Sequence, residues 1–287
     1  MIDLLRKRLQ HYSAPNAVQE EQAVKEILQE VALYALWRGG FFEIAAFQGG
    51  TSLRILHGLP RFSEDLDFIL LKPDQAFQWS HYFDTMTEVL AQFGIRCELS
   101  DRSRMGKAVR LVMLKDDSIG RQLELSFFDA SNPRKLKVKL EIDTQPPAGT
   151  GTSWHYLDFP VDFEICAQDL PSNYSLKLHA LLCRPYLKGR DWFDFAWYCK
   201  QKTQPNLPHL AHALNQAGPW AGQNTQVDAQ WLAGALTAKI KTINWPLAAQ
   251  DVAPFLPAAE QMSLPLWSER FFADKVSRLV QAILGEG

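Results

Sequence analysis

Gln48-Gly49-Gly50-Thr51-Ser52-Leu53, followed downstream by Arg61-Phe62-Ser63-Glu64-Asp65-Leu66-Asp67-Phe68-Ile69-Leu70-Leu71, is the stretch that decides how the N-terminal half folds. The apolar run Phe42 to Phe47 leads into it and reads as a strand. Two glycines then let the backbone turn sharply and approach a ligand closely, because neither carries a Cβ. Leu53, Ile55 and Leu56 continue as a short helix, whose N-terminus offers unpaired N–H groups and a partial positive charge to a phosphate. Taken alone, Gly-Gly-Thr fits many ordinary strand-to-helix turns. The second segment makes the pairing specific. Residues 65–71 read as a strand that begins polar and ends apolar, so its far end enters a core. Side-chain alternation puts Asp65 and Asp67 on one face, with Ser63 expected beside them. Two ionised carboxylates held side by side repel, and a divalent cation relieves that cost. Phosphates on the turn and Mg²⁺ on the aspartates together describe a nucleoside triphosphate (NTP) site.

Around this stretch the pattern is mixed, then helical. Val24, Ile27, Leu28, Val31, Tyr34 and Ala35 recur at helical spacing until Gly39-Gly40 stop the helix. A further helix is predicted over 74–93, with strands over 95–99, 108–114, 122–128 and 135–143. Pro146-Pro147-Ala148-Gly149-Thr150-Gly151 is a loop, and 161–166 a last strand. From Asp169 onward the spacing turns helical, over 174–183, 190–200 and 230–241. A closing helix carries Phe272, Val276, Leu279, Val280 and Ile283 on one face. The fold class is α+β, divided into 1–166 and an all-helical 167–287.

Two further groups of residues bear on the site. Lys139, Glu141 and Asp143 alternate along the strand ending at 143 and share a face, so Glu141, with Asp143 as the alternative, is the candidate third carboxylate and metal ligand. Alternating charge is equally the mark of a half-exposed strand. Downstream, Lys177 stands on a largely apolar helix, and Lys188-Gly189-Arg190-Asp191-Trp192-Phe193-Asp194 opens another. Asp191 alone fits the favourable acidic first turn of a helix. Set with Lys188, Arg190 and Asp194 among tryptophan and phenylalanine, the group also suits a nucleotide-handling surface, with Lys177 neutralising triphosphate charge.

Composition narrows the class of partner. With 47% hydrophobic and 22% charged residues the chain is an ordinary globular protein. A net charge of −2 provides no general basic footprint, so contact with a nucleic acid has to use a local patch. Cys97, Cys166, Cys183 and Cys199 form no metal-like spacing and read as reduced thiols. No signal-peptide pattern opens the sequence, and no apolar run approaches the ~18 residues of a membrane span. The expectation is a soluble, cytoplasmic protein with no membrane partner.

The run Gly49-Gly50-Thr51-Ser52-Leu53, then Arg61 through Phe68, then Lys177, then Lys188-x-Arg190-Asp191-x-x-Asp194 resembles the AbiEii/AbiGii toxin family of nucleotidyltransferases, over about residues 20–200. The closing helices carry no motif that places them in it. The resemblance implies a polymerase-β-like nucleotidyltransferase core with a mixed sheet, followed by a helical C-terminal domain. It implies the toxin of a bacterial toxin–antitoxin or phage-defence pair, with a separate antitoxin protein, using an NTP with Mg²⁺. RNA, at the tRNA acceptor end, is the implied target. Carried over residue by residue, Gly49, Gly50, Thr51 and Ser52 would bind phosphate together with Arg61, Lys177 and Arg190. Asp65 and Asp67 would hold metal, and Ser63, Lys177 and Asp194 would fall at the family's other active-site positions, to which the strand pattern adds Glu141 as a catalytic candidate. Two other readings stand beside it: transfer to a protein or small molecule, which the neutral-to-acidic charge favours, and a non-catalytic nucleotide-binding protein that sequesters a partner.

Overall fold

The computed structural model describes residues 1–12, 14–104, 107–116, 118–119, 123, 125 and 136–285. The chain forms two compact units: residues 1–58, 62–146 and 153–167, and residues 59–61, 147–152 and 168–287.

In the first unit the elements run α1 (Ile2–Gln10), α2 (Ala17–Arg38), a 3₁₀ turn (Phe41–Glu43), β1 (Ala45–Gln48), α3 (Gly49–His57), β2 (Asp65–Leu70), α4 (Ser80–Gln92), β3 (Cys97–Asp101), β4 (Val109–Asp116), β5 (Leu136–Asp143), β6 (Thr152–Leu157) and β7 (Phe163–Gln168). The strands make one mixed seven-stranded sheet in the order β3-β4-β5-β2-β1-β7-β6. β1 runs antiparallel to β2, while β2 and β5 are parallel, as are β1 and β7. The mixed α+β class read from the sequence is the one observed.

Details differ from the pattern reading, each for a local reason. The apolar run before the glycine turn divides: Phe41 and Phe42 are buried in a 3₁₀ turn and only residues 45–48 join the sheet. The helix expected from 74 begins at Ser80, because Asp74 makes a local turn by accepting the Ala76 N–H. Strand β6 follows the 146–151 loop directly and alternates half-buried with exposed residues, a weak pattern that left it unread. The strand expected over 122–128 lies outside the described residues apart from 123 and 125.

α2 explains why the sheet can bury one face. Ala23, Val24, Ile27, Leu28, Val31, Ala32, Leu33 and Leu36 are fully buried, so apolar residues cover more than a single stripe. Two of its buried acids are paired: Glu30 with Arg8, and Glu26 with the Arg54 guanidinium at 2.8 Å and the Tyr12 hydroxyl at 3.0 Å. Beneath the sheet Phe41, Phe68 and Trp79 form an aromatic cluster, with Phe41 edge-on to Phe68 at 4.9 Å.

The second unit is helical: α5 (Leu170–Cys183), α6 (Gly189–Lys200), α7 (Leu207–Gln216), α8 (Ala229–Ile240), α9 (Trp245–Val252), α10 (Ala258–Gln261) and α11 (Glu269–Leu284). Three of these start alike. Asp169-Leu-Pro, Asn206-Leu-Pro and Asn244-Trp-Pro each place a capping side chain that accepts the backbone N–H three residues on, with proline in the first turn. The core gathers on Phe272, which stacks on Trp245 at 4.3 Å and meets Trp192 and Trp267 edge-on.

Phe68 is 1% exposed and sits just beyond the acidic end of β2. Phe68→Ala is expected to destabilise the first unit by about 3–5 kcal/mol, through lost burial and an unfilled cavity. Urea unfolding measures it, and a loss below about 1 kcal/mol would contradict the packing described.

Candidate active site

In the first unit β1 ends at Gln48, directly opposite Asp67 in the antiparallel register. The chain then turns at Gly49, whose φ of +79° falls in the left-handed region. A Cβ on Gly49 would stand 2.5 Å from Asp67 Oδ2, so glycine is required twice over, by conformation and by space. α3 begins there with no side-chain cap on its N-terminus.

The carboxylates are held from behind. The Gln29 amide of α2 donates to the Ser63 carbonyl at 3.1 Å, and the Thr51 hydroxyl donates to the Asp65 carbonyl. Ser63 stands in the segment entering β2, which begins at Asp65, with its carbonyl tied back to α2. Thr51 and Ser52 are buried, and the Ser52 hydroxyl donates to the Gly49 carbonyl at 3.0 Å. The backbone of the glycine turn is thus anchored by the two side chains that follow it.

The parallel register pairs Asp65 with Lys139, Asp67 with Glu141 and Ile69 with Asp143. Glu141 is accordingly the carboxylate beside the aspartates, whereas Asp143 is one strand step further along, accepting the Gln145 N–H at 2.9 Å. Lys139, for which the strand pattern suggests no role of its own, reaches Glu141 Oε2 at 2.9 Å and Asp65 Oδ2 at 3.5 Å. Burial raises the Asp65 pKa; Lys139 opposes the shift, while Glu141 and Glu64 add to it. Burial works against the Lys139 ammonium, but Glu141, Asp65 and Asp67 outweigh it and raise its pKa. Lys139 thus serves as the local counter-charge of an acidic strand mouth.

The donor set suits a hard cation. Mg²⁺ is usually held by one or two carboxylates, with phosphate oxygens and water supplying the rest, and Asp65 and Asp67 present two carboxylates beside the uncapped end of α3. Among the described residues no three His, Cys, Asp or Glu side chains are grouped as a ready metal cage.

The second unit contains a separate buried cluster. Arg61 grips Asp194 with two parallel bonds, Nε to Oδ1 at 2.6 Å and Nη2 to Oδ2 at 2.7 Å, and Lys177 Nζ meets Oδ2 at 2.9 Å. Asp194 is fully buried and Arg61 is 2% exposed. Burial alone would lift the Asp194 carboxyl, but the two cations prevail and hold it at about 2. Asp191 pairs instead with Arg184 at 3.1 Å, and the Arg190 guanidinium lies over the Phe255 ring at 4.1 Å. Gly189 is forced by packing, since a Cβ there would fall 2.0 Å from the Ala248 carbonyl oxygen of α9.

Among solved structures the chain is similar to a candidate nucleotidyltransferase from H. pylori, at 17% identity and TM-score 0.50, covering 91% of this chain and 96% of that one. It is also similar to MenT4, a nucleotidyltransferase toxin from Mycobacterium tuberculosis, at 15% identity and TM-score 0.52, covering 96% and 98%. At these identities the likeness speaks for the fold, which is that of nucleotidyltransferases. None of the curated proteins compared with the chain matches it. The family model described as nucleotidyl transferase AbiEii toxin, type IV TA system, matches residues 31–275. The chain belongs to this family of nucleotidyltransferase toxins, as its motifs implied, and the match extends past residue 200 into the closing helices. Family membership implies a nucleotide substrate and an antitoxin, and members generally use an NTP with a divalent metal. No helix among the described residues is long and apolar enough to cross a membrane.

Two outcomes follow from this geometry. Gly49→Ala should weaken nucleotide binding by at least about tenfold, since relieving a contact of 2.5 Å displaces Asp67 or the turn; titration calorimetry with an NTP reads it, and unchanged affinity would refute the close approach. Asp194 has a folded pKa of about 2, below the ordinary carboxylate value of ~4. Its ion cluster therefore stabilises fully above pH ~4, and that contribution disappears as pH falls through about 2. The stability gap between wild type and Asp194→Asn should shrink from pH 4 to pH 2 in denaturant titrations; a constant gap would contradict the assignment.

Proposed function

We propose that this nucleotidyltransferase transfers a nucleoside monophosphate from an NTP to the 3′ end of an RNA, at the tRNA acceptor end, with Mg²⁺ bound by Asp65 and Asp67. The observation carrying this reading is the pair of same-face aspartates opposite an uncapped, glycine-led helix N-terminus. In the proposed reaction the RNA hydroxyl oxygen forms a bond to the α-phosphorus. The bond from that phosphorus to the β-phosphate bridging oxygen breaks, and pyrophosphate leaves with the electron pair. Glu141, paired with Asp67 across the strands, completes the carboxylate set and takes up the hydroxyl proton. Mg²⁺ supplies charge neutralisation at the phosphates and a more acidic attacking oxygen.

The remaining residues orient the substrate. Gly49 and Gly50 offer backbone N–H groups at the start of α3 to the triphosphate, while Thr51 and Ser52 hold that backbone in place. Ser63 enters the site beside Asp65, its carbonyl fixed by Gln29. Arg61 and Asp194 act as positioning residues that fix Lys177, whose ammonium contributes positive charge toward phosphate; Arg190 provides a further cation.

A second reading is favoured by one observation, the net charge of −2: the acceptor is a protein or a small molecule. Incubation with labelled NTPs, Mg²⁺, total tRNA and cell extract separates the two by where the label goes. Asp65→Asn and Asp67→Asn should each lower transfer by more than about a hundredfold, beyond the 10–100-fold typical of residues one step removed from a metal. Transfer that survives both substitutions would overturn the metal assignment, and label confined to protein would overturn the RNA acceptor.

A further inference from the structure

Where α6 ends against α11, the second unit encloses a cavity of about 780 Å³. Among the described residues that line it, four are cations, Lys200, Lys202, Lys275 and Arg278, and one, Asp274, is an acid. Asp274 is engaged by Arg278 at 2.9 Å. Lysines near helix C-termini commonly neutralise the exposed carbonyls, and that ordinary role has to be subtracted first. Each helix end carries about −0.5 charge, so among the described residues α6 and α11 together with Asp274 offset about two of the four positive charges. This excess sits in a chain whose overall charge is −2.

Lys202 provides an independent observation. Its φ is +55°, in the left-handed cap that closes α6, where the Lys202 and Thr203 N–H groups bond back to the Cys199 and Tyr198 carbonyls. That position is ordinarily glycine or asparagine. A lysine stands there against its backbone preference, and it lines the cavity. Among the described residues that line it there is no aromatic ring on which a base would stack; the Phe271 ring lies beneath the Lys275 ammonium at 5.1 Å. Gln204, which also lines it, is occupied with the Ala282 carbonyl.

From this we infer that the cavity grips backbone phosphates of the RNA acceptor, independently of base sequence. The inference rests on the RNA reading above and supplies the local patch which a chain of negative net charge needs. Phosphate contacts position a nucleic acid without reading it, so Lys200, Lys202, Lys275 and Arg278 set where the RNA lies while the carboxylate site performs the transfer.

The test is Lys200→Gln/Lys202→Asn/Lys275→Gln, with asparagine chosen because it tolerates the left-handed cap, beside the surface control Lys241→Gln. Binding of fluorescently labelled total tRNA is followed by anisotropy across salt, and transfer kinetics are measured for RNA and NTP separately. The triple variant should lose about tenfold or more in RNA affinity at 0.1 M salt, and its log–log salt slope should flatten by about 2 to 3. Its KM for RNA should rise while kcat and the KM for NTP stay unchanged, and the control should match wild type. If wild type binds and labels RNA but the triple variant does so equally well, with the same salt slope, the inference falls and the RNA reading stands. If wild type labels only a protein or a small molecule, both fall together.

Discussion

The parallel pairing of β2 with β5 is the constraint on which the carboxylate site depends. In an antiparallel ladder a different set of residues would face Asp67, and the acidic end of β2 could be left without a neighbour of its own kind. With both strands running the same way, the polar mouth of β2 lies against the Lys139–Glu141 stretch, and the apolar remainder of each strand lines one core. One register therefore fixes the site and the fold together. A slip of a single residue would turn the aspartates to the opposite face and bury them unpaired. α2 protects that register: Gln29 and the aliphatic surface around it hold the entry to β2 in place from behind.

Two acidic groups in this chain meet burial in opposite ways, and the contrast indicates how each is used. Asp194 has its oxygens filled by three N–H donors from two cations, and its carboxyl is held at about 2. A charge so completely satisfied has little capacity left for a ligand, and removing a partner from such a cluster costs about 3–5 kcal/mol. Asp65 stands at a half-exposed strand mouth with only part of Lys139 to balance it, next to Glu141 and Glu64, and its pKa is raised. An incoming cation lowers the energy of the second arrangement and would add nothing to the first. The under-compensated carboxylates thus have more to gain from a ligand cation than the saturated one.

Much of this was legible in the amino acids, because local rules govern the pieces concerned. Glycines at 49 and 50, the alternation of Asp65 and Asp67, and the strand that turns apolar at Phe68 are all set within a few residues of one another. The helix starts at Asp169, Asn206 and Asn244 were legible too: each shows a capping residue two positions before a proline, a signal that would have extended α5 back to Leu170 and disclosed α7 and α9. What sequence could not supply is pairing between distant segments. That Lys139 meets Asp65, that Arg61 reaches Asp194 and that Gln29 holds Ser63 depend on how elements far apart in the chain come together. Alternating charge on β5 pointed to Glu141 first, with Asp143 as the alternative, and the register pairs Glu141 with Asp67 and Asp143 with Ile69.

Overall charge is a poor guide to what a chain of this kind can bind. At physiological ionic strength charges more than about 8 Å apart are largely screened, so an RNA phosphate responds to the few groups around it and hardly to the average over 287 residues. Among the described residues, four cations and one acid line a cavity in the helical unit, a local excess of positive charge in a chain of net charge −2. The carboxylate site has the opposite requirement in the proposed reaction, where excess negative charge would draw a divalent cation to Asp65 and Asp67. A protein that must attract both a metal and a polyanion is better served by separated fields of opposite sign than by a uniformly basic surface, and a net charge near zero is the sum such a division produces.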